Sequence, residues 1–359
     1  MIPASIATQR PRDARLLVID ERGAITHRTR ADFQTLVRAG DIVVANDAAT
    51  LPASLAGIHV PTGGTVEVRL AGRDSLLPRD VSRFTAVVFG SGDFRTPTEH
   101  RPPPPFLHAG DELRLGPLRA FVLNVLAHPR LIELRFENPV AAIWEGLARH
   151  GRPIQYAYVP EPLAIWDTWT RIASLPVAFE APSAGFILGW DLIDVLRKRG
   201  AVFATITHAA GISSTGDAEL DRLLPVDEPY NIPASTAALL KSCRDRDGRV
   251  IAIGTTVVRA LEHAARSNGT VRSGAGTATQ RIGARTRLKC VDAILSGTHE
   301  QGTSHFDLLR AFQDDDVLSR MEREADAHGY RTHEFGDSVW LANSRSRRIE
   351  QEGDLRSCA

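Results

Sequence analysis

The run RVIAIGTTVVRALEHAA at residues 249–265 constrains the fold more than any other stretch of this chain. Val250–Ile253 is a short β-branched apolar run of the kind that makes a buried strand. Gly254, Thr255 and Thr256 then turn the chain, and Val257, Leu261 and Ala264 recur at helical spacing. A helix entered from a strand through such a turn leaves its first backbone N–H groups without intrahelical acceptors. Those donors, the positive end of the helix dipole and two hydroxyls suit a carboxylate or a phosphate, and a residue without Cβ lets a ligand come close. An ordinary αβ unit whose threonines only cap the helix fits the same pattern. A Walker loop is excluded, because its glycine spacing and its lysine are both missing.

Other segments extend this unit into a domain. Residues 15–19 (RLLVI) and 41–45 (DIVVA) read as buried strands of one sheet. Between about Ala53 and Phe136 the character changes to short strands at 65–70, 84–89, 112–115, 120–126 and 131–136, separated by Gly, Pro and Asp. Ile132, Leu134 and Phe136 alternate with Glu133 and Arg135, as in a strand with one buried face. Such closely spaced strands imply a small antiparallel barrel, with Pro102 to Pro105 as an extended loop inside it. Helical spacing returns at Val140, Trp144 and Leu147 before Gly151, and again near Leu192 to Arg199 before Gly200. A strand follows at 202–206, and Pro233 opens a helix that Gly248 stops. The expected architecture is an α/β main domain (1–52 and 139–341) interrupted by a β-barrel (53–138), with a disordered polar tail at 342–359.

Bulk composition narrows the partners. The 359 residues carry 43 Lys plus Arg against 43 Asp plus Glu, so the molecule as a whole has no net attraction for polyanions. Nucleic acid would have to be met by local clusters such as Arg10, Arg12 and Arg15, residues 197–199, or Arg281, Arg285, Arg287 and Lys289, each of which also fits a solvated face. Three scattered cysteines, Cys243, Cys290 and Cys358, make neither a disulfide framework nor a zinc site and fit a reducing cytoplasm. No apolar run is long enough to span a bilayer, and the first residues lack the core of a signal peptide. A cytoplasmic monomer without membrane contact is expected.

Six segments resemble, in order and spacing, the S-adenosylmethionine:tRNA ribosyltransferase-isomerase family of queuosine biosynthesis. GDIVVAND (40–47) is similar to the family's GDLLVLNDT, LPASL (51–55) to its PARL, and TGGTVEVRL (62–70) to its TGG-x-VEVLL. The 249–265 run is nearly the family's RVIAVGTTVVRALE, its most specific motif. VDAIL (291–295) followed by His299 resembles VDALLTNFH, and YRTHEFGDSVWL (330–341) resembles YRFFSYGDAMLI. The resemblance implies an α/β fold with an inserted barrel, matching the reading from the residues. It also implies a reaction in which S-adenosylmethionine, as co-substrate, gives its ribosyl part to a 7-aminomethyl-7-deazaguanine in tRNA, releasing adenine and methionine. That chemistry requires no metal. Loop motifs depart from the pattern: Ile187 and Val226 stand where the family has histidines, and SGTHEQGTS (296–304) keeps His299 while losing its neighbours. Framework kept and loops changed is the pattern expected of a paralogue with altered substrate or activity, whose acceptor is the deazaguanine of tRNA or a related small molecule. A non-catalytic S-adenosylmethionine- or nucleoside-binding paralogue, or an acceptor-independent lyase or hydrolase, are the other readings.

With that resemblance, site residues can be assigned. His299 and His208 are the expected proton-transfer groups, since imidazole titrates near neutrality. Gly254, Thr255 and Thr256 would hold the methionine carboxylate, or a tRNA phosphate. Arg259, one helical turn on, would add a bidentate contact or form a salt bridge between elements. Asp292 would take an amine or the ribose hydroxyls, or would cap a turn. Asn46 and Asp47 end a strand, where ligand crevices of α/β sheets lie, or close the turn there. Ser183, Gly185 and Glu228, in family-matching segments, complete the expected substrate contacts. Glu67 is expected on the barrel's exposed face, kept as a substrate contact by its match alone. Gly336 and Asp337 read as a structural turn, and His305, His328 and His333 as surface residues without metal-ligand spacing.

Overall fold

A computed structural model of the chain describes residues 1–9 and 13–344. Its centre is a nine-stranded mixed sheet whose inner strands lie in the order Val202–His208, Ile42–Asn46, Val250–Ile253 and Ala293–Gly297, all parallel. Glu228–Ile232 and then Gly274–Ala278 extend one side antiparallel. Ser338–Ala342, Arg15–Ile19 and Ile25–Thr29 extend the other. Parallel strands covered on both faces read as continuous apolar runs, and these do. Ile42, Val44, Val250 and Ala252 face one core, while Val43, Ala45, Ile251 and Ile253 face the other. Thr255–Ala264 and Ala234–Arg244 cover the first face and Trp190–Lys198 the second.

Six strands between Ser54 and Phe136 close into a separate antiparallel barrel with its own apolar core. The main α/β body with a small antiparallel barrel set into the chain is therefore the architecture that the strand and helix signals imply. Glu67 corrects its expected exposure. It alternates with Val66 and Val68, away from the barrel interior, but the proline-containing segment after Phe89 folds back and lays Arg101 over it. Glu67 accepts from Arg69 Nε at 2.7 Å, Ser54 Oγ at 2.8 Å and Arg101 Nη1, and it is buried. Burial pushes its pKa up, but the two guanidiniums outweigh that and hold it low. Its oxygens are committed to this network rather than to a ligand.

The tail expectation also needs correction. Ala342 completes a buried strand, and the amide of Asn343 donates to the Asp292 carbonyl at 2.8 Å, so order continues through Ser344. Residues 345–359, Arg10 and Arg12 lie outside the described residues. No helix among the described residues is long and apolar enough to cross a membrane.

Candidate active site

The carboxyl ends of the inner strands open into a cleft. Open α/β sheets bind ligands at this end, because loops and helix N-termini meet there. Gly254 turns the Val250–Ile253 strand into the Thr255–Ala264 helix with φ +93° and ψ 158°, a region essentially restricted to glycine. The helix therefore starts abruptly, and Gly254, Thr255 and Thr256 all line the cleft. Asn46 steadies this turn from below. Its side-chain amide lies 3.4 Å from Thr256 Oγ1 and bonds the His208 carbonyl at 2.9 Å, while its oxygen accepts the His208 and Ala48 amides.

His299 lines the same cleft, two residues beyond the end of the Ala293–Gly297 strand that carries Ser296. Its Nε2 is 2.9 Å from Ser296 Oγ, and its ring stacks on His305 at 4.7 Å. His305 is thus a correction: it forms part of the cleft wall rather than the surface. Burial first, and Arg259 as well, depress its pKa to about 4 against the pull of Glu228, so it is a neutral imidazole near pH 7.

Glu228 and Arg259 form an ion pair within the same wall. Burial pushes Glu228 up, but Arg259, His208 and the Gly211 amide outweigh it and hold it at about 2. Arg259 also donates to the Ala278 carbonyl at 3.1 Å. Its guanidinium charge is largely answered by Glu228, so the salt bridge between elements is the contact observed. His208 is fully buried and does not line the cleft. Its Nε2 lies 3.1 Å from Glu228 Oε2, poorly aligned for a hydrogen bond. This corrects the expected placement in the cleft: His208 stands behind Glu228, out of reach of a ligand there.

Other assignments divide the same way. Ser183 lines the cleft, but Gly185 packs where a Cβ would come within 2.9 Å of Thr170, so its role is close approach within the fold. Asp47 accepts from Thr207 Oγ1 at 2.7 Å and, like Asn46, stands outside the cleft lining. Asp292 is corrected outright. It opens the Ala293–Gly297 strand, at the end of the sheet opposite the cleft, where it accepts the Val250 amide at 2.7 Å and pairs with Arg244 at 3.1 Å. Asp337 accepts from the amides of Arg15 and Arg331, which makes it the structural turn expected. His328 is exposed, while His333 is half-buried and stacks on Tyr158 at 4.3 Å.

Glu180 was missing from the sequence assignment. It closes the apolar segment that begins with Leu175–Ala178, accepts from Tyr156 at 2.5 Å and Ser213 Oγ at 2.8 Å, and faces the cleft. Burial and the nearby Glu334 raise its pKa to about 7 against those hydrogen bonds. A charged residue ending an apolar run just before Ala181 was the available signal. Arg281, exposed on the same cleft, donates to the carbonyls of Arg222 and Leu224 at 2.8 Å each.

The cleft thus combines helix amides with hydroxyls, a stacked histidine pair and a carboxyl that titrates near neutrality. A family model described as "Queuosine biosynthesis protein" matches residues 2–341. A protein of Symbiobacterium thermophilum named S-adenosylmethionine:tRNA ribosyltransferase-isomerase is 30% identical, over 95% of this chain and 97% of its own. A Gloeobacter violaceus protein of the same name is 32% identical, over 92% and 90%. A crystal structure of S-adenosylmethionine tRNA ribosyltransferase from Thermotoga maritima aligns over 95% of each chain with 23% identity and a TM-score of 0.48.

Proposed function

Because this chain belongs to the queuosine biosynthesis protein family, an enzyme family, we propose that it is an S-adenosylmethionine-dependent transferase. It moves the ribosyl part of that co-substrate onto the amine of a 7-aminomethyl-7-deazaguanine acceptor, in tRNA or as a related small molecule, and releases adenine and methionine. The observation carrying this reading is the glycine-initiated helix start that shares one cleft with His299, His305 and Glu180.

Each step the reaction needs has a candidate group. The first-turn amides and the hydroxyls of Thr255 and Thr256 suit the methionine carboxylate. Proton removal from the carbon beside the sulfonium falls to His299, which Ser296 and the neutral His305 ring hold in place. Glu180, partly protonated at neutral pH, suits protonation of the departing adenine. With Arg259 answered by Glu228, the wall leaves Arg281 as the one exposed guanidinium among its described residues, which suits a small amine acceptor more than a chain of phosphates. The zero net charge favours a small acceptor for the same reason.

Purified protein mixed with S-adenosylmethionine and the acceptor, free or carried in tRNA, is expected to release adenine and methionine together. His299→Gln is expected to bind S-adenosylmethionine normally while losing about 10²–10⁴-fold in turnover. Chromatography of the products and calorimetry of binding check this. Absence of both binding and turnover would refute the proposal, and adenine release without any acceptor would replace it with a lyase or hydrolase.

A further inference from the structure

The outer edge of the sheet carries a second cluster, remote from the chemistry above. His27 sits on the edge strand Ile25–Thr29, and Glu324 and His328 stand four residues apart on the final turns of Asp315–Ala327 and its cap. One nitrogen of each ring and one carboxylate oxygen lie within 4.8 Å of one another. Glu324 Oε2 is 3.5 Å from His27 Nε2 and 3.4 Å from His328 Nδ1.

We propose that His27, Glu324 and His328 form a binding site for one divalent transition-metal ion, which ties the edge strand to the end of the helix. An ion about 2.0–2.1 Å from each donor in a tetrahedron separates neighbouring donors by about 3.3–3.5 Å, which is the spacing of both carboxylate–imidazole pairs here, while the two ring nitrogens lie within 4.8 Å of each other. The donor set of two imidazoles and a carboxylate selects Zn²⁺, Co²⁺ or Ni²⁺ over Mg²⁺ or Ca²⁺, which prefer all-oxygen surroundings. His27 has the outer support that metal-binding histidines usually show: its Nδ1 is 3.1 Å from the hydroxyl of buried Tyr330, which leaves Nε2 to face Glu324. The helix C-terminus adds a negative dipole end at His328.

A plain ion pair explains the arrangement less well. The two imidazole ring centroids lie 4.0 Å apart and one carboxylate oxygen serves a nitrogen of each ring, so neither ring has that oxygen to itself. A single divalent ion takes a lone pair from each ring and from the carboxylate. His328 Nδ1 also lies 2.9 Å from the Glu324 carbonyl, a partner that the ion must displace. The side chains are a third to a half exposed, which leaves an entry path. Because His27 and Glu324 are 297 residues apart in sequence, the ion acts as a structural clip across the domain.

Titration of the full chain with Co²⁺ tests the site through the visible absorption of a tetrahedral ion. One Co²⁺ per chain is expected, displaced by Zn²⁺, with Zn²⁺ also raising the thermal midpoint. His27→Ala and His328→Ala should each abolish the cobalt band and the thermal gain while far-UV circular dichroism stays unchanged. Tyr330→Phe should weaken binding by about tenfold, and His108→Ala, on the barrel, should change nothing. A wild-type chain without the band, or a band that persists in either histidine variant, overturns the proposal.

Discussion

Glu180 is pushed up to about 7 by desolvation first and by the nearby Glu334 charge, against the hydrogen bonds it accepts from Tyr156 and Ser213. If it is the acid for adenine departure, wild-type turnover should fall as pH rises through about 7, following loss of its proton. Glu180→Gln is expected to lower turnover roughly 10²-fold and to remove this limb of the profile. The rate of adenine release from pH 5 to 9 checks it; an unchanged limb assigns the acid elsewhere. Arg259 poses a stability question at the same scale. Its partner Glu228 has a side chain only 4% exposed, so Arg259→Met leaves a buried carboxylate without its counter-charge. Such losses cost about 3–5 kcal/mol, and urea unfolding should show that deficit, partly recovered in the double variant Arg259→Met/Glu228→Gln.

Among the elements, the junction at Gly254 couples fold to function most directly. A strand of four residues delivers the chain to the cleft, and φ +93° lets the helix begin without a leading turn. An added Cβ would stand 3.3 Å from Ala184 and would occupy backbone space that L-residues rarely adopt. Gly254→Ala should therefore cost about 1–3 kcal/mol in stability and should weaken S-adenosylmethionine binding. Denaturant midpoints and calorimetry measure the two effects, and a variant with wild-type values for both would remove the junction from the site. The strands read from buried β-branched runs such as VIAI and RLLVI are legible within one or two residues, while Ile25–Thr29, Ser54–His59, Glu228–Ile232 and Gly274–Ala278, which lack such a run, are not. The strand carrying Glu67 was misread because alternation reports only which face a residue takes. It does not report that a distant loop bearing Arg101 covers that face.

At the scale of the whole molecule, Glu228, His305 and Glu180 are displaced far enough to shape how stability varies with pH. Glu228 at about 2 binds fewer protons folded than unfolded, so its contribution is present above about 4.5 and lost as pH falls toward 2. His305 at about 4 acts in the same direction between 6.5 and 4. Glu180 at about 7 acts oppositely, since the folded chain keeps a proton that the unfolded chain loses, and stability declines from 4.5 toward 7. Opposed slopes predict a broad plateau between 4.5 and 6.5 and a steep loss below 4.5. Urea midpoints measured across pH test this. Glu180→Gln should tilt the plateau upward toward neutrality, and a flat difference between the two proteins would contradict the assigned shift.

The sequence by itself determined the architecture and the strand-to-helix junction at Gly254, because hydrophobic period and glycine placement are local properties that a short window carries. It also named His299, through a motif that travels with its strand. Only tertiary structure decided which charges answer one another. Glu228 meets Arg259 from 31 residues away, Glu67 meets Arg101, His305 turns inward against His299, and Asp292 falls at the wrong end of the sheet. Charge pairing and desolvation depend on distance in space, and a chain that crosses its sheet nine times brings together groups whose separation in sequence says nothing about that distance.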